Sequence, residues 1–134
     1  AGTPRLHVYV TTATVGGQLY ALLEDCDEND ECIHIGHAIM DLRYHAGGDD
    51  IQTWTPLVET INAKMEFMPL DAEIEAGHRL RLSLLSTGED YLPASTSSVV
   101  FIQEGEGSTL QLDTFIPEDR QYFTPPACTH TVCV

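Results

Sequence analysis

Basic side chains are scarce in this chain. Its 134 residues carry 6 Lys and Arg against 21 Asp and Glu, a formal charge of −15. Such a surface repels polyanions, which argues against DNA, RNA and anionic membranes as partners. Long apolar runs are missing too. No stretch of 18 apolar residues is present to form a membrane-spanning helix, so membrane insertion is not expected. A basic start, an apolar stretch and a small-residue cleavage site do not occur in that order. The chain opens instead on Ala1-Gly2-Thr3-Pro4, as a processed protein, an excised domain or a cloned fragment would. Catalytic signatures are equally sparse. There is no G-x-S-x-G nucleophile elbow, no glycine-rich phosphate loop, and no nucleophile, base and orienting group in a shared pattern. Internal repeats and coiled-coil heptads are absent.

Apolar residues are present at 43%, enough to oppose disorder despite the charge. The length suits one domain. Period-two alternation dominates. Leu6, Val8 and Val10 share one face of a strand, with His7, Tyr9 and Thr11 on the other. Gly16-Gly17 marks a turn, and residues 18–24 (QLYALLE) form a second strand. The acidic stretch 25–31 reads as a loop, and 33–44 as one long strand or two short ones. A polar connection starts at Gly47-Gly48-Asp49-Asp50 and contains Trp54 and Pro56. The clearest strand places Ile61, Ala63, Met65 and Phe67 on one side and ends before Pro69. A bend at 74–77 leads into a strand with Leu80, Leu82 and Leu84 opposite Arg79, Arg81 and Ser83. After an irregular segment at 91–98 come a short strand at 99–102, a turn at 105–107, and a last strand through Leu110 and Leu112, ending near Pro117. Seven or eight short strands without a helix predict an all-β antiparallel sandwich of two sheets. The expected division is a sandwich over 1–117 and a C-terminal tail over 118–134.

The four cysteines lie in two close pairs, Cys26 with Cys32 and Cys128 with Cys133. The simplest arrangement is two local disulfides, the second stapling the tail. A zinc site built from all four thiolates is the rival, although C-x5-C and C-x4-C are wider than most structural zinc knuckles. Disulfides imply an extracellular or oxidising setting, or a hyperthermophile's cytosol, and together with the carboxylate surface they favour an extracellular or cell-surface location.

Several segments resemble, in order, the C-terminal domain of X-Pro dipeptidyl-peptidases and related CocE/NonD-type hydrolases. Residues 75–86 (EAGHRLRLSLLS) are similar to that family's G-H-R-(I/L)-R-(I/L)-x-(I/L)-S-S strand. Residues 2–10 (GTPRLHVYV) resemble its opening G-x-P-x-L-x-L-x-V strand, and 21–25 (ALLED) its L-x-D-V strand. Residues 36–44 (GHAIMDLRY) are similar to G-x-L-R-x-x-Y, and 108–117 (STLQLDTFIP) to the closing S-x-L-x-L-P-V-(I/L)-P strand. The likeness covers roughly residues 2–117. It implies a jelly-roll, galactose-binding-like β-sandwich that accompanies an α/β-hydrolase domain carrying the Ser-Asp-His machinery. That machinery has no counterpart here, so the resemblance implies a fold without an active site. It further implies that an edge strand preceding the G-x-P strand is left off or supplied by another chain, leaving a docking edge.

Among candidate sites, Asp25, Asp27, Asn29 and Asp30 form the densest oxygen-rich loop. Their D-x-D-x-N start resembles the first ligands of a calcium loop, without the Gly at position six or the Glu at position twelve of an EF-hand. The competing reading is an acidic solvated turn. Asp49 and Asp50 are a weaker version of the same signal. His34 and His37, on a regular strand, are expected to point to opposite faces, which opposes a shared metal. His78 is expected to be a hydrogen-bonded structural histidine, with Arg79 and Arg81 on one face paired to carboxylates. Trp54, Tyr91, Tyr122 and Phe123 lie outside the strands, and Trp54 and Tyr91 lead as platforms for stacking a sugar. Each is equally a loop anchor. His130 reads as part of the tail. The sequence thus favours a non-catalytic extracellular module with a structural or assembly role, meeting a protein partner or a second copy through an open edge. A carbohydrate-binding module, with or without calcium, and an accessory domain of an X-Pro dipeptidyl-peptidase-like serine hydrolase are the alternatives.

Overall fold

A strand with one apolar face must bury that face against a second layer. The chain does so by dividing seven strands between two antiparallel sheets. The computed structural model describes residues 2–88, 98–103, 105 and 107–113. In chain order the strands are β1 (Arg5–Thr12), β2 (Gln18–Cys26), β3 (Cys32–Asp41), β4 (Ile61–Glu66), β5 (Arg79–Leu85), β6 (Val100–Gln103) and β7 (Thr109–Gln111). One sheet has β1 at its centre, with β4 on one edge and β6 and β7 in succession along the other. The second sheet has the order β3-β2-β5. This is the β-sandwich that the alternation predicts. The expected long strand over 33–44 stops at Asp41, and a 3-10 turn, Leu42–Tyr44, follows it.

The two inner faces form one buried cluster. Leu6, Val8 and Val10 of β1 meet Leu19, Ala21 and Leu23 of β2, together with Ile61, Ala63 and Met65 of β4, Phe67, Ala38 and Leu42. The opposite faces carry the polar partners of the alternation, such as Asn62, Lys64 and Glu66. Sheet one continues past β4: Phe67 N–H donates to Pro4 O, and Gly2 and Leu70 exchange both backbone bonds. The break between β6 and β7 is stitched by Ser108. Its hydroxyl donates to Gln103 O at 2.7 Å and accepts from Tyr9 N–H at 3.3 Å.

One departure from regular pairing and one glycine set the shape of the second sheet. The β2–β3 register runs from Leu23 opposite Gly36 to Glu24 opposite His34, so Ile35 is an extra residue in a β-bulge. Gly36, just beyond it, lies under β4's continuation: a Cβ there would stand 3.0 Å from Leu70 Cδ2. A side chain at 36 would force Leu70 to give way on this side.

Asp41 ends β3 and caps the 3-10 turn. Its Oδ1 accepts from Arg43 N–H at 3.0 Å, and Arg43 Nη2 donates to Oδ2 at 2.6 Å. The guanidinium hydrogen bonds, with the backbone N–H adding to them and partial burial opposing, hold the Asp41 carboxyl below its ordinary range. A carboxylate depressed in the folded state stabilises the fold above its unfolded pKa and loses that contribution as pH falls through the folded value. Asp41→Asn is therefore expected to lower the urea midpoint at about pH 7, and the gap from the parent should close by about pH 2. A gap of constant size across that range would contradict this account.

Candidate functional site

The acidic loop between β2 and β3 is a disulfide-closed hairpin end. Cys26 and Cys32 face each other in register and are bonded. Inside it, Asp27 Oδ1 accepts from the N–H groups of Asn29 and Glu31 at 2.8 and 3.0 Å, a side-chain turn that replaces missing backbone bonds. Asp30 takes up a left-handed conformation, φ 65°, and its carboxylate pairs with Arg79. Asp25 points inward, 6% exposed, where an unpartnered carboxylate would be costly. His78 supplies the partner: its Nδ1 lies 3.0 Å from Asp25 Oδ1, and its Nε2 lies 3.9 Å from Glu75 Oε2. Gly77, at φ +90°, makes the bend that aims His78 at Asp25. Of the four residues singled out for calcium, Asp25 lies on β2 and Asp27, Asn29 and Asp30 in the loop, and the three carboxylates are engaged by His78, by the Asn29 and Glu31 N–H groups, and by Arg79. Among the described residues, no three His, Cys, Asp or Glu side chains converge as a metal centre would require. Cys128 and Cys133 lie outside the described residues, as do Tyr91, Tyr122, Phe123 and His130.

Arg79 and Arg81 share the outer face of β5, as the alternation predicts. Arg81 Nη2 pairs with Glu24 at 2.7 Å across the strand boundary. His34 and His37 correct the sequence reading. Three residues apart, they should face opposite ways, but the bulge at Ile35 adds a half-period, and both stand on the outer face of β3. Their rings are 5.0 Å apart between centroids, with His37 Nδ1 3.0 Å from His34 Nε2.

Trp54 is anchored. Its indole N–H donates to Thr12 Oγ1 at 2.7 Å, and the ring meets His45 edge-on at 5.5 Å. Thr12 is fully buried at the end of β1, so this bond ties the 45–60 connection to the core. Trp54 and His45 also line a pocket of about 430 Å³, shared with Gln52, Glu59, Asn62 and Lys64. Asn62 Oδ1 is buried there without a hydrogen-bond donor among the described residues.

The sandwich is lopsided. On the β3–β4 side the sheets close over Gly36, Phe67 and Leu70. On the other side β5 and the β6–β7 edge leave a cleft of about 270 Å³, walled by Leu6, Val8, Leu82, Leu84, Ile102 and Leu110. Of the inward-facing rows beside it, Leu80 and Ile102 are each 37% exposed, whereas Phe101 and Leu85, opposite Thr11 and Tyr20, stand on the outer faces of the two sheets. Both sheets keep open edges among the described strands, at β3 and β5 in one and at β4 and β6–β7 in the other. No helix among the described residues is long and apolar enough to cross a membrane. Sequence reasoning missed this open cleft, because the alternation in β5 and β6 looks like that of any half-buried strand.

Comparison with known proteins agrees with the geometry. The family model of the X-Pro dipeptidyl-peptidase C-terminal non-catalytic domain matches residues 1–123. No curated protein and no solved structure matches significantly. The matched description carries no catalysis, and among the described residues there is no metal-holding cluster. With nearly its whole length matched, and with the sandwich that the matching segments imply, the chain belongs to the X-Pro dipeptidyl-peptidase C-terminal non-catalytic domain family.

Proposed function

We propose that this domain is the structural accessory module of a serine hydrolase of the X-Pro dipeptidyl-peptidase type, held against its hydrolase domain by the open β5–β6–β7 side of the sandwich. The observation that carries this reading is the apolar cleft of about 270 Å³ between β5 and the β6–β7 edge, where inward-facing side chains such as Leu80 and Ile102 remain more than a third exposed. Solitary exposed apolar residues are ordinary, but a core layer that opens onto the surface offers an apolar partner a place to bury. An open edge beside it offers unpaired backbone groups to an incoming strand. A chain of net charge −15 is held off from polyanions but not from an apolar protein face. The Cys26–Cys32 disulfide and the carboxylate excess support an extracellular or cell-surface setting.

The test is sedimentation of the full chain with the catalytic domain of an X-Pro dipeptidyl-peptidase lacking its own C-terminal domain. A one-to-one complex is expected. Ile102→Asp, at the mouth of the cleft, should weaken it roughly 30-fold or more, as loss of an interface anchor does, with circular dichroism checking that the variant folds. Absence of a complex, self-association instead, or an unchanged affinity in Ile102→Asp would contradict the reading.

A second reading, as a carbohydrate-binding module, is favoured by the pocket beside Trp54. Sugar hydroxyls are donors, and the buried Asn62 Oδ1 is an acceptor lacking one. Calorimetric titration with a panel of mono- and disaccharides, with and without calcium, checks it. Binding that Asn62→Ala abolishes supports the reading, and no binding to any sugar removes it.

A further inference from the structure

We propose that His34 and His37 form a two-histidine site for a divalent transition-metal ion on the outer face of β3, with Cu²⁺ and Ni²⁺ preferred over Zn²⁺. The argument starts from the bulge. Without Ile35 as an extra residue, the two imidazoles would be separated by the sheet; with it they stand side by side, Nδ1 of His37 3.0 Å from Nε2 of His34. At that distance one nitrogen donates a proton and the other accepts it, so two lone pairs compete for a single proton. A metal ion can take that proton's place, using both lone pairs.

Geometry discriminates between ions. With metal–nitrogen bonds of about 2.0–2.1 Å, nitrogens 3.0 Å apart subtend roughly 95° at the metal. That is a cis pair in a tetragonal Cu²⁺ or Ni²⁺ site, whereas a tetrahedral Zn²⁺ site needs the nitrogens about 0.3 Å further apart. Each ring must swing about χ2 to aim its lone pair at the shared point, and χ2 of histidine is a soft torsion. The affinity order of divalent metals on imidazole points the same way, with Cu²⁺ the tightest.

The surroundings support a solvent-accessible chelate. Tyr20 stacks on His37 with ring centroids 5.6 Å apart and an interplanar angle of 25°, which fixes one wall of the site. Glu24 stands opposite His34 in the β2–β3 register, but its carboxylate is held by Arg81 at 2.7 Å. No third His, Cys, Asp or Glu among the described residues completes a cluster. Water fills the remaining positions, which places the site in the class of exposed two-histidine chelates. The charge of −15 raises the local concentration of any cation. Protons compete for the same nitrogens, so binding weakens on acidification.

The test is a calorimetric titration of the full chain with Cu²⁺ at about pH 7.5, with electron paramagnetic resonance of the one-to-one sample. One dominant site is expected, with hyperfine coupling to two imidazole nitrogens. His34→Gln and His37→Gln should each weaken it at least about tenfold and leave coupling to one nitrogen, while His7→Gln, on β1 in the other sheet, should leave it unchanged. Both substituted positions lie on the outer face, and far-UV circular dichroism checks that the variants fold. Should a variant unfold, His34→Asn and His37→Asn are tested in its place, with the same expected loss. A tightest site that survives both substitutions, or coupling to fewer than two imidazole nitrogens in the wild-type chain, overturns the proposal.

Discussion

Leu6, Val8 and Val10 of β1 leave water together with Leu19, Ala21 and Leu23 of β2, and each of these strands is the hydrogen-bonded centre of its own sheet. That shared burial is the constraint on which the rest depends. Every buried methylene contributes about 0.8 kcal/mol, and the side chains in this layer are nearly all removed from water. Because side chains alternate with period two, fixing these six residues inward also fixes His7, Tyr9 and Thr11 on one outer face and Tyr20, Leu22 and Glu24 on the other. Flanking strands then have no freedom of register. β4 must pair so that Ile61, Ala63 and Met65 turn inward, and β5 so that Leu82 and Leu84 do.

The two sides of the sandwich use this constraint differently. On the β3–β4 side a glycine at 36 lets Leu70 and Phe67 approach the second sheet, and the layer is sealed. On the β5 side nothing comparable joins the sheets among the described residues, and the apolar lining reaches the surface. This domain of a non-catalytic family thus has one sealed and one unsealed side among the described residues. The loop end of the second sheet is by contrast self-sufficient. The disulfide, the Asp27 turn, the Asp25–His78 contact and the Arg79–Asp30 pair satisfy its polar groups internally.

The layout of the fold was legible in the sequence because alternation reports directly which face is buried. It placed β1, β2, β4 and β5 within a residue or two, and put Arg79 and Arg81 on one face. The ordered segments from Gly2 to Pro117 pointed to the family that the match over residues 1–123 shows. What stayed illegible depends on tertiary register. A bulge carries no composition signal, so the inference that His34 and His37 diverge followed from regular pairing and failed where Ile35 is inserted. Likewise the acidic loop showed its oxygen atoms but not their partners, since His78 reaches Asp25 only after β5 has paired with β2. The open side was hidden because exposure of Leu80 and Ile102 depends on which strands lie beside them, and no single-strand pattern encodes that.

Backbone amide hydrogen exchange is the most direct measure of the lopsided sandwich. In the isolated domain, amides of β1, β2 and β4 should be protected most strongly, because their hydrogen bonds lie in or beside the sealed core, while those of β5, β6 and β7 exchange much faster. Adding the catalytic domain of an X-Pro dipeptidyl-peptidase should slow exchange in β5, β6 and β7 and leave β3 and β4 unaltered. Uniform protection across all seven strands of the isolated domain, or slowing confined to β3 and β4, would contradict the account.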